Sequence, residues 1–227
     1  FLRTAGAYER DGRAHLLGFF VEPDPGNPER YVPFLVQAGL SLPDESYYRL
    51  ETFAGTRAAF RAHLERLLAL AGVPEAGGNA DRVVSIEAEI ATHHWDNVRS
   101  RDAMATYNLK TWDEIQALAG VDLAPWRDAT APEHSEAFAE VVAYQPSFLE
   151  GLGTLLVAER LEEWKSWMRA QAVHAAAPFL SDDIVQENFS FYGTEITGVP
   201  TIRERWKRGV SVTEGALGEA IGKVYVE

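Results

Sequence analysis

No cysteine occurs among the 227 residues, which excludes a disulfide framework, a thiolate metal site and a cysteine nucleophile. Positive charge is scarce. Lys and Arg number 21 against 34 Asp and Glu, a formal net charge of −13 that repels polyanions at long range and argues against a nucleic-acid role. No stretch reaches eighteen consecutive apolar residues, so no segment reads as a membrane-spanning helix. What remains is ordinary globular composition: 46% hydrophobic, 11% aromatic and 24% charged, in a chain long enough for one large domain or two small ones. The chain opens at Phe1, not at a methionine, and closes at Gly222-Lys223-Val224-Tyr225-Val226-Glu227 without a helix stop signal. Both ends read as cut, and the chain reads as a piece of a longer polypeptide.

Periodicity predicts a mainly α fold with a short strand pair near the N-terminus. The apolar runs Leu16–Val21 and Tyr31–Val36 flank a Pro/Asp/Gly/Asn cluster, the pattern of a hairpin or of two neighbouring strands. Pro33 inside the second run favours an edge strand or a bulge. Helical spacing then takes over. Phe60, Leu64, Leu67, Leu68 and Ala71 form one stripe on a helix from about Gly55 to Ala71, ended by Gly72 and Pro74. Glu75–Asn79 reads as a surface loop, and Val83, Ile86, Ile90 with His94 or Trp95 line a second helix. Thr111-Trp112-Asp113-Glu114 is a capping-box pattern opening a short helix that stops at Gly120. Asp122–Ser135 reads as loop, Phe138–Tyr144 as a strand or extended segment, and Pro146 as the first turn of a helix. Leu161, Trp164, Met168 and Val173 predict a helix from about Glu159 to Ala177. Ser181 is a good N-cap for the next one, with Asp182 and Asp183 at its positive end. Gly193 and Gly198 bound a turn, and Pro200 opens a last helix carrying Trp206, Val210, Leu217, Ile221 and Val224.

The search for chemistry returns little. None of His15, His63, His93, His94, His134 or His174 begins a His-Glu-x-x-His pattern, which would set two imidazoles and a base on one helical face. Glu89 and His93 stand four apart, yet two ligands do not make a metal site. Gly39-Leu40-Ser41-Leu42-Pro43 resembles a nucleophile elbow until Pro43 replaces its second glycine. Gly218-Glu219-Ala220-Ile221-Gly222-Lys223 ends like a phosphate loop but lacks the opening glycine and the following Ser or Thr. Asn188-Phe189-Ser190 matches a glycosylation triplet that occurs often by chance. Arg203, Arg205, Lys207 and Arg208 around Trp206 read as partners for carboxylates elsewhere in the protein. Asp182/Asp183 and Glu162/Glu163 diverge around their helices and read as caps and solvated surface.

Larger blocks say more. Glu187-Asn188-Phe189-Ser190-Phe191-Tyr192-Gly193, Gly198-Val199-Pro200, Arg203-Glu204-Arg205-Trp206-Lys207-Arg208 and the run Gly215 to Glu227 form one continuous pattern. It resembles the neprilysin and endothelin-converting-enzyme family of zinc metalloendopeptidases, in its bacterial form. Gln37-Ala38-Gly39-Leu40-Ser41-Leu42-Pro43 with Tyr47-Tyr48, Ile86-Glu87, Arg99 to Asp102, Tyr107-Asn108 and Leu161-Glu162-Glu163-Trp164-Lys165 fit the same pattern. Gly209 stands where many animal members carry cysteine. With no cysteine present, a bacterial origin is implied, in the cytoplasm or exported.

The resemblance implies the helical, non-catalytic half of a zinc-dependent endopeptidase that hydrolyses small peptides. That half encloses the active-site chamber and restricts access by size. In the family the substrate-gripping strand, the zinc helix and the third ligand glutamate follow the Tyr-Val-Glu helix end. No catalytic, cofactor-binding or metal-ligating role is therefore carried onto any position here. Zinc belongs to the full-length enzyme, and the chain alone is expected to be inactive. Its expected partners are the catalytic half of the same polypeptide and peptide substrates, without nucleic acid and without a membrane segment in this chain. Residues 1–44 are expected to form the strand pair and turn that pack on the catalytic lobe, and 45–227 the helical lobe. The competing expectation is a stand-alone, non-catalytic helical binding or scaffold protein derived from that family.

Overall fold

Residues 1–226 are described in a computed structural model. The turn-forming cluster reverses the chain: β1 (Leu17–Asp24) and β2 (Asn27–Gln37) run antiparallel, with Phe20 opposite Phe34 and Leu17 opposite Gln37. At the tip the Asp24 carboxylate accepts from Gly26 N at 2.8 Å, closing the turn with its own side chain. A helix that the sequence reading did not foresee, α1 (Leu2–Arg10), precedes the hairpin.

Next come α2 (Ser46–Arg49), α3 (Ala54–Leu70) and α4 (Ala76–His93). The expected stripe of α3 is buried at Phe60, Leu64, Leu67 and Leu68, and that of α4 at Val83, Ile86 and Ile90. The expected loop at Glu75–Asn79 is instead the first turn of α4. Glu75 takes a left-handed φ of 50° and starts the helix, while the Asn79 amide donates to the Pro74 and Glu75 carbonyls at 2.9 and 3.2 Å. A Cβ at Gly77 would sit 3.1 Å from Oε1 at the flexible tip of Glu65 on α3.

The short helix α5 (Ala103–Thr106) leads to β3 (Leu109–Thr111) and α6 (Trp112–Ala119). The predicted capping box closes both ways: Glu114 N donates to Thr111 Oγ1, and Thr111 N donates to Glu114 Oε2 at 2.8 Å. Gly120 ends α6 in the left-handed region. Asp122–Ser135, expected as loop, contains α7 (Ala124–Thr130). Pro125 suits its first turn and Asp122 accepts from Ala124 N at 3.0 Å. A helix whose one large apolar residue is Trp126 shows no period to read, yet that indole is fully buried.

β4 (Glu140–Ala143) completes the sheet, followed by α8 (Pro146–Leu155), α9 (Leu161–Ala176) and α10 (Asp182–Asn188). The strand order is β1-β2-β4-β3, with β4 parallel to β2 and antiparallel to β3. So β2 is an interior strand, not the edge that Pro33 suggested. Its pairing with β4 begins one residue later, at Phe34↔Val142, so the missing N–H of Pro33 breaks no bond to β4. One sheet face joins Leu17, Leu35, Val141 and Ala143 to the main core around Trp126, Phe148, Trp164 and Trp167. The other gathers Val32, Phe34 and Val142 under Tyr107, Leu109 and Tyr144.

The chain forms two compact units, residues 1–188 and a second beginning at Phe189. In the second, the backbone from Phe189 to Ile196 is a π-helix, so Gly193 lies inside a helix and does not open the expected turn. Its missing side chain leaves room for the Phe189 ring, which a Cβ would approach to 2.3 Å. Gly198, at φ 71°, ends the segment. The last helix, α11 (Arg205–Val226), starts five residues after Pro200, because its ladder begins with Arg208 N donating to the Glu204 carbonyl. It is kinked at Leu217.

Candidate functional site

Residues 37–43 leave β2 and become a strap in which almost every residue holds a different element. The Gln37 amide clasps the backbone of Trp95: Nε2 donates to the Trp95 carbonyl at 2.9 Å, and Oε1 accepts from Trp95 N at 2.8 Å. His94 Nε2 lies 3.0 Å from the Ala38 carbonyl, and the burial that seals this imidazole lowers its pKa to about 4, keeping it neutral. Gly39 takes φ 95°, which favours glycine, and its carbonyl accepts from Trp167 Nε1 of α9 at 3.0 Å.

Ser41 reaches the least expected group in the fold, a fully buried carboxyl. Glu87 of α4 accepts from Ser41 Oγ at 2.7 Å, Ser41 N at 3.1 Å and the Tyr48 hydroxyl at 2.5 Å. Gln171 Nε2 of α9 donates to Ser41 Oγ at 2.9 Å and lies 3.4 Å from Glu87 Oε1. Tyr48 in turn accepts from Leu42 N at 3.0 Å. Burial pushes the Glu87 carboxyl up to about 7, against the pull of these donors. Ser41 is thus a structural donor and not a nucleophile: its hydroxyl hydrogen points at Glu87, and no imidazole stands as its base among the hydrogen bonds described. Beside this cluster the strap lines a cleft of about 410 Å³, whose other walls include His15, Gly18, His94, Trp95 and Gln171.

The other motif residues also have structural work. Tyr107 donates to Asp24 Oδ1 at 2.6 Å, and Arg30 donates to Asp24 Oδ2 at 2.8 Å and to Glu140 at 2.5 Å. The Tyr107 hydrogen bond, with those of Gly26 and Arg30, holds the Asp24 carboxyl below its ordinary range. Asn108 Nδ2 donates to the Ala105 and Ala143 carbonyls at 2.7 and 3.2 Å, tying α5 to β4. Burial would raise Glu187, but Arg66 Nε at 2.9 Å and His63 Nδ1 at 2.9 Å outweigh it and hold the carboxylate ionised. Asn188 Oδ1 faces His174 Nδ1 at 3.1 Å.

The remaining sequence candidates do not converge. Glu89 pairs with Arg160 at 2.9 Å, while His93 packs where a Cβ on Gly151 would stand. Among the described residues no three or more His, Asp or Glu side chains gather so as to hold a metal ion. The basic cluster finds local partners in place of the distant carboxylates expected: Lys207 pairs with Glu204 at 3.2 Å, Arg203 donates to Ser211, and Arg208 to the Arg203 carbonyl. A carboxylate and an imidazole the sequence reading left unpaired do meet. His15 Nδ1 lies 2.6 Å from Glu9 Oε1, a pair hidden because nothing in the sequence marked residues 2–10 as helix.

The family described as Peptidase family M13 matches residues 1–227. The neutral endopeptidase of Lactobacillus helveticus is 25% identical over 215 residues, covering 91% of this chain and 32% of its own length. Endothelin-converting enzyme 1 of Rattus norvegicus is 26% identical over 221 residues, covering 92% of this chain and 28% of its own. The solved structure of Mycobacterium tuberculosis zinc metalloprotease Zmp1 in complex with inhibitor superposes with a TM-score of 0.94 at 38% identity, over 99% of this chain and 35% of that one. The chain therefore spans about a third of the length of these relatives. With the whole of its sequence inside the match and its fold shared with a zinc metalloprotease, this chain belongs to peptidase family M13, as its N-terminal domain.

Proposed function

We propose that this chain is the non-catalytic, helical part of a zinc-dependent endopeptidase that hydrolyses peptide bonds in small peptides, and that it walls the chamber in which cleavage occurs. The observation that carries this reading is the superposition on a zinc metalloprotease of which the chain covers 35%. The donor set here does not fit zinc: Glu89 is ion-paired, His94 is turned to the Ala38 carbonyl, and the buried Glu87 faces hydroxyl, amide and backbone donors only. Zinc ligands and the general base would then come from the remainder of the polypeptide, which also serves as this domain's partner. In that arrangement residues 1–44 lie toward the catalytic lobe, and 45–227 form the helical lobe. Zinc held by that remainder would polarise the scissile carbonyl and activate water; this chain would contribute walls and rigidity to such a reaction.

The test is direct. The purified 227-residue chain is assayed for metal by elemental mass spectrometry and for cleavage of a quenched fluorescent peptide. It is then assayed again after co-expression with a catalytic region of the length its relatives have. The reading expects no stoichiometric zinc and no chelator-sensitive cleavage alone, and both in the reconstituted protein. Chelator-sensitive hydrolysis by the chain alone would refute it.

A further inference from the structure

A groove of about 520 Å³ lies between α1 and α9, within the size range of small-molecule sites. Helical spacing makes its walls. Phe1, the N-cap of α1, shares one face with Thr4 and Tyr8, and Leu161, Lys165, Met168 and Ala172 share one face of α9. From Leu161 to Val173 the α9 wall is about 18 Å long. Tyr8, Val73, Met168 and Val173 line the groove as half-buried apolar surface. Its charge is the reverse of the chain's. The whole sequence carries −13, yet no described residue lining this groove is acidic, while Lys165 and Arg169, one turn apart, are basic. Arg169 is set in place: its Nη1 donates at 3.2 Å to Oδ1 of the buried Asn79, which also accepts from Ser166 Oγ at 2.8 Å. The rest of the guanidinium is left for a ligand. Lys165 Nζ donates at 2.7 Å to Glu162, an exposed carboxylate outside the lining that a second anion can replace. An apolar trough with two cations on one wall complements an amphiphilic anion. The walls also select its chemistry. Mid-helix N–H and C=O groups bond within their own helices, and besides the two cations the lining side chains offer only the Thr4 and Tyr8 hydroxyls. A peptide's amides would go unmet there, whereas a hydrocarbon chain has none to satisfy.

We propose that this groove binds an aliphatic monocarboxylate of fatty-acid type, its chain lying between α1 and α9 and its carboxylate on Lys165 and Arg169. The groove lies wholly within the unit of residues 1–188, so the proposal stands whether or not the peptidase reading does.

The experiment is calorimetric titration of the longest polypeptide its reading frame encodes with sodium dodecanoate, below its micellar concentration. Saturable binding of a single equivalent is expected, weakening by up to about fourfold for each methylene removed toward decanoate. Dodecyltrimethylammonium, which reverses the head charge, and trileucine, which keeps the carboxylate but adds amides, should both bind more weakly than dodecanoate. Arg169→Gln should weaken dodecanoate binding about fivefold. Thr4→Glu, which sets a carboxylate in the groove from the exposed first turn of α1, should weaken it at least as much. Arg101→Gln, which removes an exposed cation outside the lining, should leave it unchanged. Circular dichroism verifies that each variant folds, and if Arg169→Gln does not, Thr4→Glu decides. The proposal is overturned by an absence of saturable binding, by dodecyltrimethylammonium or trileucine binding as tightly as dodecanoate, or by unchanged affinity in either folded groove variant.

Discussion

Gly153→Ala should be among the most damaging single-methyl changes in the chain. Gly153 lies in α8, buried against the C-terminal end of α6, and a Cβ built there falls 1.7 Å from the Ala119 carbonyl oxygen and 2.7 Å from its carbon. Carbon rarely comes nearer to a carbonyl oxygen than about 3.3 Å, so the two helices must part by roughly 1.5 Å at that point. No side chain can rotate away, because the obstacle is backbone. Parting α6 from α8 loosens Ile115, Phe148, Leu149 and Leu152 together, all within the main core. Overpacking usually costs about 1–3 kcal/mol; a backbone clash with no rotamer escape belongs at the upper end, about 3 kcal/mol. For a domain of this size that corresponds to a drop of about 6–12 °C in Tm. The control is Gly209→Ala in α11, where a Cβ meets nothing within 4 Å; there the better helix propensity of alanine should stabilise that helix slightly. Thermal unfolding followed by near-ultraviolet circular dichroism measures both. A Gly153→Ala protein melting within about 2 °C of wild type would show that the α6–α8 contact is far softer than this geometry states.

Three further predictions follow from the same reading of local contacts. Thr111→Ala removes the N-cap of α6 and should cost about 1 kcal/mol in urea unfolding, restored by Thr111→Ser but not by Thr111→Val. Tyr107→Phe removes the largest influence holding Asp24 below its ordinary range, so the Asp24 carboxyl should titrate higher by carbon-detected NMR. Because a depressed carboxyl stabilises above its unfolded pKa and loses that stability as pH falls, the variant should also unfold at a less acid pH than wild type. The Glu9 hydrogen bond raises the His15 imidazole above its ordinary value; the stability it confers is present below the unfolded pKa and lost as pH rises through the folded one. Glu9→Gln should return the His15 titration toward the ordinary value in proton NMR, and an unchanged midpoint would sever that link.

What the sequence revealed and what it hid divide along a physical line. Features set by neighbours in the chain were legible: the hairpin, the Thr111 box, the stripes of α3 and α4, the Pro146 start. Features set by distant partners were not. Trp126 gives no periodicity to α7, and the packing of α1 against it, where Gly6 would place a Cβ 2.2 Å from the Trp126 carbonyl, is invisible in the sequence. Pro33 looked like an edge residue because the register of β4, which begins just past it, is set by contacts more than a hundred residues away in sequence. The strap motif 37–43 is a pattern whose reason lies outside it, on three other segments, at Trp95, Glu87 and Trp167. Ser41, Tyr48 and Glu87 stand in three separate pieces of the sequence pattern with nothing to say that they meet, as a buried carboxylate on a helix is written like an exposed one.

The pairing of β2 with β4 also bears on how the chain is made. Gln37 and its hydrogen-bond partner Gln145 are 108 residues apart, so β2 leaves the ribosome long before β4. At about 5–20 residues per second, the inner edge of β2 at Phe34 and Leu35 stays unpaired for roughly 5–20 s, while the hairpin and the α3–α4 pair can already form from local contacts. During that interval an apolar strand edge is open to any other strand nearby. Aggregation of newly synthesised protein should therefore trace to β2, and slowing translation beyond residue 37 should worsen it.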